Sequence, residues 1–292
     1  MIYVNIIAAG KDVIILSTLK IAQIQMPEHD FPSESLEAAC DAVARAAAMR
    51  ADIVCLPEMF ITHYDTESMK KDAVEEGGYE MERLAETAAR YGVYLQAGTV
   101  PEAAGGKVYN TACLFDRSGG LVAKHRKMHL FDIDIRGGQS FRESDTLSAG
   151  DQVTVTGTEF GRIGMAVCYD IRFPELFRLM ALKGAKLILV PASFNMTTGP
   201  AHWDLCFRSM AMYNQCFIAG TASAMTPEAS YKSYGHSIIC DPWGQILGEL
   251  ESEEGVLLTE IDTDRASDIR NQLPILKNRR EDVYELAEKG RL

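Results

Sequence analysis

A short apolar run ending in proline occurs twice in this chain, as Ala51-Asp52-Ile53-Val54-Cys55-Leu56-Pro57 and as Ala185-Lys186-Leu187-Ile188-Leu189-Val190-Pro191. Each run is too short for a helix and too continuously apolar for a surface strand, so each reads as a strand buried on both faces. The patterns around them also correspond. In the first half, a strand over 20–25 precedes a helix over 32–50, on which Leu36, Ala39, Cys40, Val43 and Ala47 share a face. After the strand at 53–56 come a helix over 79–91, closed by Gly92 as a left-handed cap, and a strand over 93–97. Strands at 110–115 and 121–124 then flank a Ser118-Gly119-Gly120 turn. In the second half, a strand over 162–168, a helix over 173–183, a strand over 187–190, a helix over 202–214 and a strand over 216–220 follow in the same order. A strand pair at 237–240 and 245–247 around Pro242-Trp243-Gly244 closes it.

Two βαβαββ halves each leave one sheet face uncovered by their own helices, and the other half is the natural cover. The expected fold is α/β, a four-layer α-β-β-α sandwich with two pseudo-symmetric halves, in one domain over 19–285. Residues 1–18 form an N-terminal extension without an assigned role, and 286–292 a C-terminal tail. A single continuous doubly wound sheet is the rival arrangement. No Gly-x-Gly-x-x-Gly follows the first strand and no phosphate-binding Gly-rich loop ending in Gly-Lys-Ser/Thr occurs, so nucleotide binding has no support.

Composition narrows the function. A net charge of −12 argues against nucleic acid as a partner. No uninterrupted apolar run is long enough to span a membrane, and the apolar start, broken by Lys11 and Asp12, lacks the basic beginning of a signal peptide. Seven cysteines without a Cys-x-x-Cys pair suggest neither a disulfide framework nor a zinc knuckle, and point to a reducing, cytoplasmic setting. The six histidines show no metal-ligand spacing, so no metal site is expected.

Reactive groups in layered α/β folds lie beyond the carboxyl ends of strands. Glu58 follows the first buried strand, Lys127 follows the hairpin, and Cys168 ends the strand over 162–168. Cys55, Cys113, Cys216 and Cys240 fall inside strand patterns and Cys40 and Cys206 inside helices, where packing explains them. Cys168 alone stands at a strand-to-helix turn, which is expected to expose its side chain and to lower its thiol pKa through helix amides. Packing remains the alternative for Cys168, a solvated strand end for Glu58, and a solvated basic patch with Lys124 and Arg126 for Lys127. A cysteine–histidine pair using His129 or His202 also stays open.

Taken together, Leu56-Pro57-Glu58, Lys127-Met128-His129-Leu130-Phe131-Asp132 and Val167-Cys168-Tyr169-Asp170-Ile171-Arg172-Phe173-Pro174-Glu175 resemble the three blocks of the nitrilase, or carbon–nitrogen hydrolase, superfamily. The resemblance spans about residues 19–285. It implies the α-β-β-α sandwich, a homo-oligomer, a small-molecule amide substrate and no cofactor. It also implies Cys168 as nucleophile, Glu58 as general base and then acid, and Lys127 with the Tyr169 amide as oxyanion donors. Glu143, in the Glu143-Ser144 block, would hold Lys127.

The pair Tyr169-Asp170 after the nucleophile resembles amidases rather than nitrilases in the strict sense. The run Phe194-Asn195-Met196-Thr197-Thr198-Gly199-Pro200-Ala201-His202-Trp203, with Tyr64, resembles the ω-amidases, which hydrolyse the terminal amide of 2-oxoglutaramate and 2-oxosuccinamate. Tyr64, Arg172, Asn195 and Thr197 are the substrate-side candidates, with Arg208 a second candidate cation. A turn or helix-cap role competes for the threonines. N-carbamoyl amino acids, deaminated glutathione, and a non-catalytic binding role are the alternatives. Two stretches depart from the resemblance, residues 59–63 beside the pocket and residues 135–139 in a loop.

Overall fold

The computed structural model describes residues 16–136 and 140–289. Most of the N-terminal extension, the last three residues of the departing loop and the end of the tail therefore lie outside the described residues. In chain order the strands are β1 (Thr18–Gln25), β2 (Ile53–Cys55), β3 (Val74–Glu75), β4 (Tyr94–Ala104), β5 (Lys107–Phe115), β6 (Leu121–Arg126), β7 (Asp132–Asp134), β8 (Ser140–Arg142), β9 (Thr154–Thr158), β10 (Gly161–Met165), β11 (Leu187–Ala192), β12 (Phe217–Ala222), β13 (Ile238–Cys240), β14 (Ile246–Glu249) and β15 (Gly255–Asp262). The helices are α1 (Pro32–Ala48), α2 (Thr66–Lys71), α3 (Tyr79–Tyr91), α4 (Pro174–Leu182), α5 (Gly199–Asn214) and α6 (Asp264–Gln272).

The first sheet runs β15-β1-β2-β4-β5-β6, with β3 on β4, and the second runs β14-β13-β12-β11-β10-β9. In each, the three central strands are parallel: Ile21, Ile53 and Tyr94 stand in register in one, and Ile163, Leu187 and Phe217 in the other. Strand alternation divides the core. Ile21, Ile53 and Leu114 face Ile163, Leu187 and Leu189 of the opposite sheet. Their neighbours Ala22, Val54 and Leu95 face Leu36 and Val43 of α1 and Leu84 of α3. The second sheet is covered on its outer side by Phe177 and Met180 of α4 and Trp203 and Phe207 of α5. Each such fully buried side chain stabilises the layers by about 1.5–3 kcal/mol. The four-layer sandwich with two corresponding halves is the observed architecture.

The halves are completed by strands that the local pattern did not reveal. The outer strand of the first sheet, β15, arrives from the far end of the chain and pairs along the whole of β1, Thr18 opposite Asp262 through Gln25 opposite Gly255. Its counterpart in the second sheet is β9, antiparallel to β10. The helix α3 ends as expected, with Gly92 left-handed at φ +63°. The strand expected over 162–168 stops at Met165, because the Val167 amide is taken by the side chain of Asp170 rather than by a neighbouring strand. Beyond α6 the chain stays against the body: Glu288 accepts from the Val153 amide at 3.1 Å and pairs with Lys183.

Candidate active site

The turn after β2 carries Glu58. The Leu56 amide continues the ladder to the Gln96 carbonyl (3.0 Å), the Pro57 carbonyl accepts from the Thr99 amide (3.1 Å), and the Met59 amide donates to Thr99 Oγ1 (2.8 Å). Gly98, at φ +56°, lets β4 approach this turn: a Cβ there would stand 2.2 Å from the Pro57 oxygen. With its backbone so held, Glu58 points inward and is 1% exposed.

Lys127 follows β6 and is fully buried, its amide bound to the Asn110 carbonyl at 2.8 Å. It shares the inward face with buried His125, two residues earlier, as strand alternation requires. Lys124 and Arg126 take the opposite face, and they are not a solvated patch: they clamp the buried carboxylate of Glu102 at 3.0 and 2.8 Å. Burial would raise the Glu102 pKa, but Arg126, Thr111 and Lys124 outweigh it and hold the carboxyl at about 2.

Cys168 opens a short 3-10 turn, Cys168–Arg172, at φ +42°, a conformation costing a side-chain-bearing residue about 1–3 kcal/mol. Asp170 holds this turn. Its carboxylate accepts from the Val167 amide (3.0 Å), the His129 amide (2.9 Å) and His129 Nδ1 (2.7 Å), and stands 3.2 Å from His125 Nε2. Burial opposes the Asp170 charge, yet His125, His129 and the Val167 amide carry its pKa far below the ordinary carboxylate range. One buried anion thus ties the segment after Cys168 to both sides of Lys127.

These elements bring the polar side chains into one cluster. Lys127 Nζ donates to Glu58 Oε1 at 3.0 Å and to Glu143 Oε1 at 2.8 Å. Tyr64 OH lies 3.2 Å from Glu58 Oε1 and 2.8 Å from Glu143 Oε1. Asn110 Nδ2 donates to Glu58 Oε1 at 2.8 Å, and the Phe131 amide to Glu143 Oε2 at 2.7 Å. Glu58 Oε1 is therefore surrounded by three donors, whereas its buried Oε2 has no oxygen- or nitrogen-bound donor. The remaining group that interacts with Glu58 is the Cys168 thiol. Cys168 Sγ also accepts from the Ser193 amide at 3.5 Å.

Burial dominates the proton affinities. It lifts Glu58 above the usual carboxylate range, with Lys127 opposing and Glu143 reinforcing the rise. It would discharge Lys127, but Glu143 and Glu58 outweigh it and keep the ammonium charged well beyond the ordinary lysine range. The Cys168 thiol is pushed up by burial and by Glu58, against the pull of Lys127 and the Ser193 amide. The expectation of an exposed, acidified thiol is overturned: Cys168 is 4% exposed, and its turn faces the space between the sheets rather than solvent. A narrow cleft of about 30 Å³ reaches Glu58, lined also by Met59, Tyr64, Ser193, Tyr231 and Ser233.

Other expected residues stand elsewhere. Asn195 Oδ1 accepts from the amides of Thr197 (3.0 Å) and Thr198 (2.8 Å) and from Thr198 Oγ1 (3.0 Å), so Asn195 shapes the turn into α5 while Thr197 is exposed. Arg172 Nη1 contacts His202 Nδ1 at 2.9 Å, with its guanidinium over the Phe194 ring. His129 is engaged with Asp170 and stacks on Phe173, so the two histidines weighed as bases both have other partners. Arg208 Nε donates to the Gly244 carbonyl, and Trp203 is core, its indole donating to the His236 carbonyl. Tyr169 packs edge-on against Phe131. Asn110, Ser193 and Tyr231 were not foreseen. Their only sequence signals are polar positions beside the apolar runs of β5 and β11, and an aromatic in the loop before β13.

Comparison with known proteins adds an independent line. Residues 20–271 match the carbon–nitrogen hydrolase family. The chain is 42% identical over 274 residues to the omega-amidase NIT2 of Mus musculus, covering 94% of this chain and 99% of that protein. It is similar to the crystal structure of Saccharomyces cerevisiae Nit3, a member of branch 10 of the nitrilase superfamily, with TM-score 0.84, 35% identity and coverage of 94% and 100% of the two chains. It is also similar, with TM-score 0.73, 25% identity and coverage of 91% and 95%, to an amidase from Nesterenkonia sp. AN1 that shows covalent addition of the acetamide moiety of fluoroacetamide at its active site cysteine.

Proposed function

The chain belongs to the carbon–nitrogen hydrolase family, and on that premise we propose that it is an ω-amidase, converting the terminal amide of a small 2-oxo dicarboxylic acid monoamide to the 2-oxo acid and ammonia. The observation that carries the chemistry is the division of labour within Glu58. Oε1 is held by Lys127, Tyr64 and Asn110, which leaves buried Oε2 for the thiol proton.

In this reading Cys168 Sγ attacks the amide carbon as its proton passes to Glu58. A thiol raised by burial stays protonated until a base takes the proton, and a carboxylate raised by burial is a stronger base than one in water. The oxyanion is met by the Lys127 ammonium and the Tyr169 amide, a donor of this kind being worth about 3–4 kcal/mol in the transition state. Glu58 returns the proton to the leaving nitrogen, ammonia departs, and Glu58 then deprotonates the water that opens the thioester. The proton finally returns to sulfur, so the enzyme is restored. Glu143 and Tyr64 act by orienting Lys127 and Glu58, and Asn195, Thr197 and Arg172 by shaping the neighbouring turn and helix rather than by chemistry.

The test is ammonia release from 2-oxoglutaramate set against N-carbamoyl-β-alanine. Turnover of the former with little of the latter is expected, and activity on the carbamoyl compound alone would overturn the substrate. The proposal extends to a cytoplasmic homo-oligomer. The seven cysteines are free thiols, as a reducing compartment maintains them. Leu205 and Tyr213 of α5 and Trp243 of the turn beside it are each at least half exposed, and sedimentation analysis would report the assembly.

A further inference from the structure

We propose that Tyr231 is a positioning residue for the Cys168 thiol, acting through the backbone of Ser193; the inference rests on Cys168 being the nucleophile. Ser193 lies one residue beyond β11, where the strand ladder no longer dictates how the backbone is directed. Its amide donates to Cys168 Sγ at 3.5 Å, and its carbonyl accepts from Tyr231 OH at 2.6 Å. Residue 193 is thus gripped at both ends, by the sulfur on one side and by a phenol on the other.

Tyr231 is itself well placed to hold still. It is 7% exposed, and its ring stacks on that of Tyr64 with centroids 4.4 Å apart. Its segment lies against the one that follows Ser193, with the Tyr234 amide on the Phe194 carbonyl at 2.7 Å and a bridge between Asn195 and Ser233. Tyr64 in turn touches both Glu58 and Glu143, so one stacked pair of rings links the base side of the cleft to the sulfur side. Burial, with Cys168, Glu58 and Glu143 nearby, keeps the Tyr231 phenol protonated far above the ordinary tyrosine range, so it remains a donor throughout the cycle. An amide aimed at sulfur favours the thiolate over the thiol. It therefore helps at the moment Glu58 removes the proton, and it helps only while its direction is maintained.

Tyr231→Phe removes the hydroxyl and keeps the ring stack. The measurement is the pH profile of Cys168 alkylation by iodoacetamide, followed on the Cys168 peptide by mass spectrometry, alongside kcat, KM and the thermal midpoint. The expected result is an alkaline shift of about 0.5–1 pH unit, with kcat down about tenfold and KM within about twofold. A merely structural role would do the opposite. Because burial is what raises this thiol, looser packing would admit water and move its titration downward. A downward shift, or an unmoved profile, overturns the proposal. Turnover by Cys168→Ala would instead sink the nucleophile reading, while the alkylation profile would still report whether Tyr231 governs the sulfur.

Discussion

Gly98 lies so close to Pro57 that the Pro57 carbonyl oxygen occupies the space a side chain would need, 2.2 Å from an added Cβ. The neighbour is backbone, one residue from Glu58, and cannot swing aside as a side chain would. Gly98 also sits at φ +56°, a region that other residues enter only with strain. Gly98→Ala is therefore expected to lose stability by more than the backbone strain alone, about 1–3 kcal/mol. It should also lower kcat by displacing Glu58. Chemical denaturation and steady-state kinetics check both, and an unchanged kcat would show that Glu58 is located by other contacts.

Glu58→Gln retains the shape and loses the proton acceptor, so kcat/KM should fall about 10²–10⁴-fold. His129→Ala should leave measurable turnover, because His129 serves Asp170 and the Phe173 stack. Finding the larger loss in the histidine variant would restore a cysteine–histidine mechanism.

The acid limb of the kcat/KM profile should lie above the ordinary glutamate range near pH 4.5, since burial raises Glu58 and activity requires it deprotonated. The Glu143 charge contributes to that rise, so Glu143→Gln should move the limb toward lower pH while reducing the maximum. A limb moving upward in the variant would contradict the sign.

Asp170 links stability to acid. Its folded-state pKa is depressed, so its contribution is fully present above about pH 4, the unfolded range. It is lost progressively as pH falls toward the folded value. Asp170→Asn leaves buried donors unmatched and should destabilise the protein by about 3–5 kcal/mol at neutral pH. Denaturation series should show the gap to the parent protein narrowing below about pH 4, and a constant gap would refute the linkage.

Local pattern was enough to locate Glu58, Lys127 and Cys168 just past their strands, because a buried strand announces itself by consecutive apolar residues and its end by Pro57, by the change at Lys127 or by a polar turn. The same reasoning misjudged Cys168 itself, since a strand-to-helix turn can face either solvent or a second sheet, and which it faces depends on the opposite half. It also misread Lys124 and Arg126, whose partner Glu102 sits on another strand.

Periodicity, turn residues and the repeated apolar run were sufficient for the layered architecture and the order of its elements, because side-chain spacing along one segment dictates which face that segment must bury. Pairing between remote segments lay beyond that reach: β15 against β1, Asn110 against Glu58 across 52 positions, and Ser193 against Cys168 across 25. Those contacts depend on hydrogen-bond distances and directions that arise when the two sheets close on each other. They determine which oxygen of Glu58 is left for the sulfur.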